Sequence, residues 1–214
     1  MAIEDYERAS EKGKKLGKSS RFNFLLCKGL IKMKENEYEM ALEHFTEAQK
    51  IIPRNKEIIF YKSSAILMPL LETLKKKDLS LNVIKKHFAP IISELNEGIS
   101  WYNKSDHFLR FYKGLVYLYT QEFDKSVVDL YHAIKNNEEP NSKYHMYIGL
   151  GYGCLNLLKE AMKDLSMALR LKDDYVQAYY NRGKCAYLLE NADLAFSDFQ
   201  KLLLIKPVGF YLRV

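Results

Sequence analysis

Four glycines, Gly29, Gly114, Gly149 and Gly183, sit inside apolar helical stretches, and each is followed at fixed distances by the same residue classes. Twelve residues on stands Ala41, Ser126, Ala161 or Ala195; four further on, a large apolar residue, Phe45, Leu130, Leu165 or Phe199. Three beyond that the chain has Ala48, Ala133 and Ala168, with Leu202 as the exception, and Pro53 and Pro207 close the first and last copies. The glycines are 85, 35 and 34 residues apart, and 85 is one 34-residue period plus 51. A chain written this way must fold as a row of similar units.

The unit is two short helices, A and B, which cannot bury both apolar faces alone and must stack on the next pair. Small residues fall where the backbones of A and B approach, although glycine costs about 1 kcal/mol against alanine inside a helix. Large residues then fill the gaps between layers: Tyr38, Phe45, Tyr117, Phe123, Leu130, Tyr152, Leu165 and Phe199.

This pattern resembles the tetratricopeptide repeat, whose Gly, Tyr, Ala, Phe and Pro fall at these offsets. The resemblance implies an all-α, right-handed solenoid of about five antiparallel helix pairs that binds other proteins. The expected boundaries are a polar, basic lead-in over 1–21, repeats at about 22–55, 56–106, 107–141, 142–175 and 176–209, and an apolar extension at 210–214. The second repeat is irregular, with 17 surplus residues. Ile59, Ser63 and Ile66 fit its helix A, and Leu95, Gly98 and Trp101 fit its helix B. Because proline breaks a helix interior, Pro69 predicts a kink or an end to helix A. A short extra helix is expected over about 81–88 after a Ser80 cap, with helix B starting near Pro90. Asn141–Ser142 and Asp173–Asp174 read as helix starts, and Asp124, Lys159–Glu160 and Asp193 open B helices.

Composition excludes other classes. No stretch approaches 18 consecutive apolar residues, so no transmembrane helix is expected, and the N-terminus lacks the apolar core of a secretion signal. Cys27, Cys154 and Cys185 are odd in number and unpaired in spacing, which reads as a reducing, cytoplasmic setting with thiols used as small core residues. A cilium or the cytoskeleton is a compatible location. No C-x-x-C motif or histidine at ligand spacing suggests a metal, and no cofactor is expected. The glycines of Gly149-Leu-Gly151-Tyr-Gly153 follow no strand, so a phosphate loop is set aside, and no H-E-x-x-H or nucleophile pairing points to an enzyme. The charge of +6 favours acidic partners without naming one. Its basic runs, Lys12, Lys14, Lys15, Lys18 and Arg21, then Lys75, Lys76, Lys77, Lys85, Lys86 and His87, read as a solvated tail and a solvated loop. The second run has no interleaved aromatics, which disfavours nucleic acid.

In the family, helix A lines the concave face. With the glycine as the eighth slot of each repeat, slots 2, 5, 9, 12 and 13 face the groove by analogy. The residues this implies for a partner are Phe108, Phe111, Leu115 and Tyr119, then Met146 and Leu150, then Tyr180, Lys184 and Tyr187. The family's clamp for the C-terminal carboxylates of chaperones needs Lys, Asn and Arg at fixed slots. Repeats 3 to 5 place Phe111, Leu115, Tyr147, Gln177 and Asn181 there, so chaperone-tail binding is not expected. An apolar or amphipathic segment fits such a groove better. A second interface is expected at the C-terminal end, where Phe199, Leu202, Leu203, Phe210 and Tyr211 have no following repeat to cover them. The expected function is a non-enzymatic scaffold or adaptor within a multi-subunit assembly. The alternatives are a regulatory or targeting module of a longer enzyme or transport component, and an RNA-processing helical-repeat protein.

Overall fold

The computed structural model describes residues 17–76, 80–101 and 106–205. The described residues form ten α-helices and no strand. They divide into two compact units, one up to Lys104 and one from Ser105.

The first unit contains α1 (Lys18–Lys34), α2 (Tyr38–Ile51), α3 (Lys56–Lys76) and α4 (Leu81–Trp101), each packed on the next. Its core gathers Phe22, Ala41, Phe45, Ala48, Ile58 and Ala65. Helix α1 starts four residues before the expected repeat boundary, with Gly17 as its N-cap.

Both prolines lie inside helices: Pro69 in α3 and Pro90 in α4. The expected short helix over 81–88 therefore does not exist as a separate element, and Lys85, Lys86 and His87 lie exposed on a helix rather than in a loop. Packing explains the difference. Phe88, Ile91, Leu95 and Ile99 are buried at helical spacing on both sides of Pro90, whose own ring faces solvent. A continuous apolar stripe outweighs one lost backbone hydrogen bond.

The second unit contains α5 (His107–Tyr119), α6 (Phe123–Lys135), α7 (Ser142–Cys154), α8 (Leu158–Leu171), α9 (Val176–Leu188) and α10 (Ala192–Ile205). Each A helix packs on its B helix, each B helix on the next A helix, and α7 also touches α5 and α9. Asn141 caps α7 by accepting the Lys143 amide. The expected Asp173–Asp174 start is not a cap: Tyr175 holds that position and makes no side-chain cap bond.

The repeat glycines lie beneath the large B-helix residues. A Cβ built on Gly149 would lie 2.7 Å from Leu165 Cγ, and one on Gly114 2.6 Å from Leu130 Cγ. At Gly183 the nearest atoms belong to Phe199 and Asp198, at 2.9 and 3.2 Å, rather than to Ala195 as the spacing suggests. Ser126 takes the alanine place in its pair because its hydroxyl donates to the Gly114 carbonyl at 2.8 Å.

Each A–B turn in the four regular pairs reverses through a left-handed residue seven beyond the glycine: Asn36, Gln121, Asn156 and Glu190, with φ between 58° and 61°. The next amide reaches back to close the helix end, as in Glu122 N–H to the Tyr117 carbonyl at 2.8 Å. Asparagine tolerates this conformation, whereas glutamine and glutamate are strained there.

A partly buried acid–base pair also recurs. The residue before the large B-helix residue is Glu94, Asp129, Asp164 or Asp198. These pair respectively with Lys62; with Arg110 at 2.6 Å and Lys113 at 3.1 Å; with His145 at 2.8 Å; and with Arg182 at 2.6 Å. Arg182 grips Asp198 with two nitrogens and donates to Ser166 of the preceding pair at 3.2 Å. The Asp198 hydrogen bonds hold the Arg182 guanidinium above its usual range.

Two stability tests follow. Gly149→Ala should destabilise by about 1–3 kcal/mol through overpacking, against the roughly 1 kcal/mol that alanine gains in an exposed helix. A denaturant midpoint that rises instead would mean the crossing at Gly149 is not tight. Asp198→Ala leaves the half-buried Arg182 without its carboxylate partner, and a loss of about 1–3 kcal/mol is expected in the same titration. A change within experimental scatter would make this pair an exposed one.

Candidate partner-binding groove

The A helices of the second unit offer one recess. Leu150, Gly153 and Cys154 of α7, Leu158 at the start of α8, and Asn181, Lys184, Cys185 and Leu188 of α9 enclose a cleft of about 100 Å³. Its floor is low because Gly153 has no side chain. A Cβ there would meet only Cys185 Sγ, at 3.8 Å, so the space above it is open. Desolvation pushes the thiols of buried Cys185 and of exposed Cys154, which borders the apolar recess, above the ordinary cysteine range, and the nearby Lys184 ammonium opposes the shift.

The nine groove positions implied by the family divide by exposure. Phe108, Lys184 and Tyr187 are exposed; Tyr119, Leu150 and Tyr180 are half-buried. Phe111, Leu115 and Met146 are buried. Phe111 stacks on Tyr144 with ring centroids 4.3 Å apart, and Met146 lies in the core shared with Ala161, Leu165 and Cys185. These three side chains hold neighbouring repeats together. The Tyr119 hydroxyl is pushed up to about 12, chiefly by burial. Tyr180 lies against Phe199, with 6.5 Å between ring centroids.

Cysteine usage differs from expectation: Cys185 is buried, but Cys27 and Cys154 are exposed. Among the described residues there is no group of His, Cys, Asp or Glu able to hold a metal, and no helix long and apolar enough to cross a membrane. The first unit has a second cleft, lined by Leu42, Ala65, Ile66, Pro69 and Leu70, with Tyr38 and His87 at its rim. Sequence reasoning did not foresee it, because it depends on Pro69 staying within a helix.

Helix α10 exposes large apolar residues. Phe196 corresponds by one 34-residue step to Met162, and Leu203 to Leu169. Met162 and Leu169 belong to the core that α8 forms with α9. Phe196 and Leu203 are 70% and 58% exposed. Phe199 and Leu202 are half-buried, while Phe210 and Tyr211 lie outside the described residues.

The tetratricopeptide repeat family model matches residues 176–208. No curated protein matches the chain in sequence. Among solved structures, the 41-to-end portion of MamA from Desulfovibrio magneticus RS-1 is similar with a TM-score of 0.69 at 12% identity, over 89% of this chain and 98% of that one. YrrB, described as a tetratricopeptide repeat protein with an unusual peptide-binding site, gives a TM-score of 0.66 at 16% identity, over 98% of this chain and 95% of that one. The last pair thus matches the tetratricopeptide repeat model, the pairs before it keep its register of glycines and large B-helix residues, and the fold is that of tetratricopeptide repeat solenoids.

Proposed function

We propose that the chain is a scaffold or adaptor that holds an apolar or amphipathic segment of a partner protein against the A-helix face of its second unit. The observation that carries this reading is the cleft between α7 and α9. It is recessed at Gly153 and lined by Leu150 and Leu188, and α9 also carries the exposed Tyr187. Apolar recesses with few polar groups are where side chains of a bound segment are placed. The likeness to YrrB supports it, since that protein is described as having a peptide-binding site. Contact falls to Phe108, Tyr119, Leu150, Tyr180, Lys184 and Tyr187, the groove positions with free surface.

Affinity capture at low salt from the native source tests the reading. Leu150→Arg with Leu188→Arg should abolish capture while the helical circular dichroism is kept. Unchanged capture would move binding off this face. Exposed Cys154 supplies an independent readout: a bound segment should slow its alkylation and leave exposed Cys27 as reactive as before. Equal rates with and without partner would place the partner elsewhere.

A second surface is favoured by the exposed Phe196 and Leu203. Their counterparts one repeat earlier are covered by a following A helix, so this end suits another helix of the assembly. Hydrogen exchange should find residues 192–205 less protected than 158–171 in the isolated chain, and more protected in the complex. Equal protection in the isolated chain would show the end already covered. Cytoplasmic, ciliary or cytoskeletal placement follows from this role only through the partner.

A further inference from the structure

In the second unit the acidic residues of the helices are confined to the B helices, which carry lysines and an arginine as well. The A helices α5, α7 and α9 contain no aspartate or glutamate, yet carry Arg110, Lys113, Lys143, Arg182 and Lys184. Each B helix carries two acids: Asp124 and Asp129 on α6, Glu160 and Asp164 on α8, Asp193 and Asp198 on α10. Asp129, Asp164 and Asp198 are the members that turn toward the A helices. There Arg110 and Lys113, His145, and Arg182 engage them. Lys143 and Lys184 remain, both exposed and with no ion-pair partner among the described residues. Lys184 borders the cleft itself beside Asn181. Lys143 lies seven residues before Leu150, so it shares that residue's helix face at about 10 Å along the axis.

We propose that the α7–α9 cleft takes an extended acidic segment of a partner protein. One aliphatic side chain enters the recess between Leu150 and Leu188, and flanking side-chain carboxylates meet Lys184 and Lys143. The proposal rests on the groove reading above and gives its occupant a chemistry. An extended chain covers about 10 Å in three residues, so with an aliphatic side chain seated beside Leu150 a carboxylate about three residues away comes level with Lys143, while one nearer the recess meets Lys184 at its border. With no acid on the A helices, the groove holds no like charge to repel such a segment, whereas a basic one would meet two uncompensated lysines. A nucleic-acid strand fits less well: backbone binding depends on neutralising many phosphates, and the apolar recess has no use for a phosphate. A chain terminus is not required, because the slots that would clamp a terminal carboxylate hold Phe111, Leu115, Tyr147, Gln177 and Asn181.

Fluorescence anisotropy on the full chain tests this with a labelled short peptide in which glutamate pairs flank single leucines, acetylated and amidated at its ends. Its glutamine and lysine counterparts, a free-carboxylate version and an oligouridylate serve as comparisons. The acidic peptide should bind at least about tenfold more tightly than the glutamine peptide at low salt and lose that advantage as salt screens the charges. Amidation should make no difference. Lys184→Glu should weaken the acidic peptide about tenfold or more, and Lys143→Glu less. Lys135→Glu, an exposed cation on α6, should change nothing beyond its effect on net charge.

Equal binding of all three peptides, abolished by Leu150→Arg with Leu188→Arg, would overturn the acidic preference and leave the groove reading standing. No binding of any peptide would overturn the proposal, and Cys154 protection by the native partner would then decide the groove reading. Dependence on a free C-terminus, tighter binding of the oligouridylate, or equal loss with Lys135→Glu would each overturn the proposal.

Discussion

The close crossing of A and B helices over the repeat glycines governs the rest of this architecture. At Gly149 the missing Cβ lets Leu165 descend until its Cγ is 2.7 Å from where that atom would stand. Leu165, Ala161 and Ala168 are then fully buried, and the B helix comes near enough to present Met162 and Leu169 to the next A helix. A larger residue at the glycine would push the B helix outward and open the interface to the following pair. The local tightness of one pair therefore sets the stacking of the next, as expected of an array held together by nearest-neighbour contacts.

That crossing brings the flanking position of the B helix inward too, and the chain places an acid there. Glu94, Asp129, Asp164 and Asp198 each immediately precede the large B-helix residue of their pair and meet a basic side chain of the A helix. A buried pair of this kind contributes little net stability but is costly to break from one side. What it fixes is the rotation of A against B. Arg182, forked onto Asp198 and reaching Ser166, ties that rotation to the preceding pair as well. Its wider consequence is electrostatic. In the second unit the helical acids stay on the B helices, which carry cations as well, so only the A helices are purely basic.

Spacing made the helix pairs of the second unit legible, because each glycine, alanine and knob recurs within a residue of its period. Helices α3 and α4 were not legible in the same way. Pro69 and Pro90 signal breaks by local chemistry, while the stripe Phe88, Ile91, Leu95 and Ile99 that keeps α4 whole works through its burial by neighbours. The turn residues were readable in part. Asn36 and Asn156 suit a left-handed conformation, but Gln121 and Glu190 hold it only because the helix ends around them require it. The acid before the knob was visible in the sequence at all four places. It escaped notice because an acid in a helix reads as a solvent-facing residue until the crossing geometry turns it inward.

The groove positions were legible as a register and not as a surface. Family slots place Phe111, Leu115 and Met146 on the concave side. In this chain they are large enough to reach the neighbouring A helix, so they serve packing: Phe111 on Tyr144, Met146 within the core of α7, α8 and α9. Exposed surface is left to positions where a residue is small or is not drawn into the core. Gly153 and Cys154 leave the recess, Leu150 and Leu188 wall it, and Lys184 stands at its border. Large apolar residues at groove slots thus narrow the binding surface while strengthening the array. On the groove reading proposed above, the few positions the core does not use would set the chemistry of a partner, and in this protein those positions are apolar and basic.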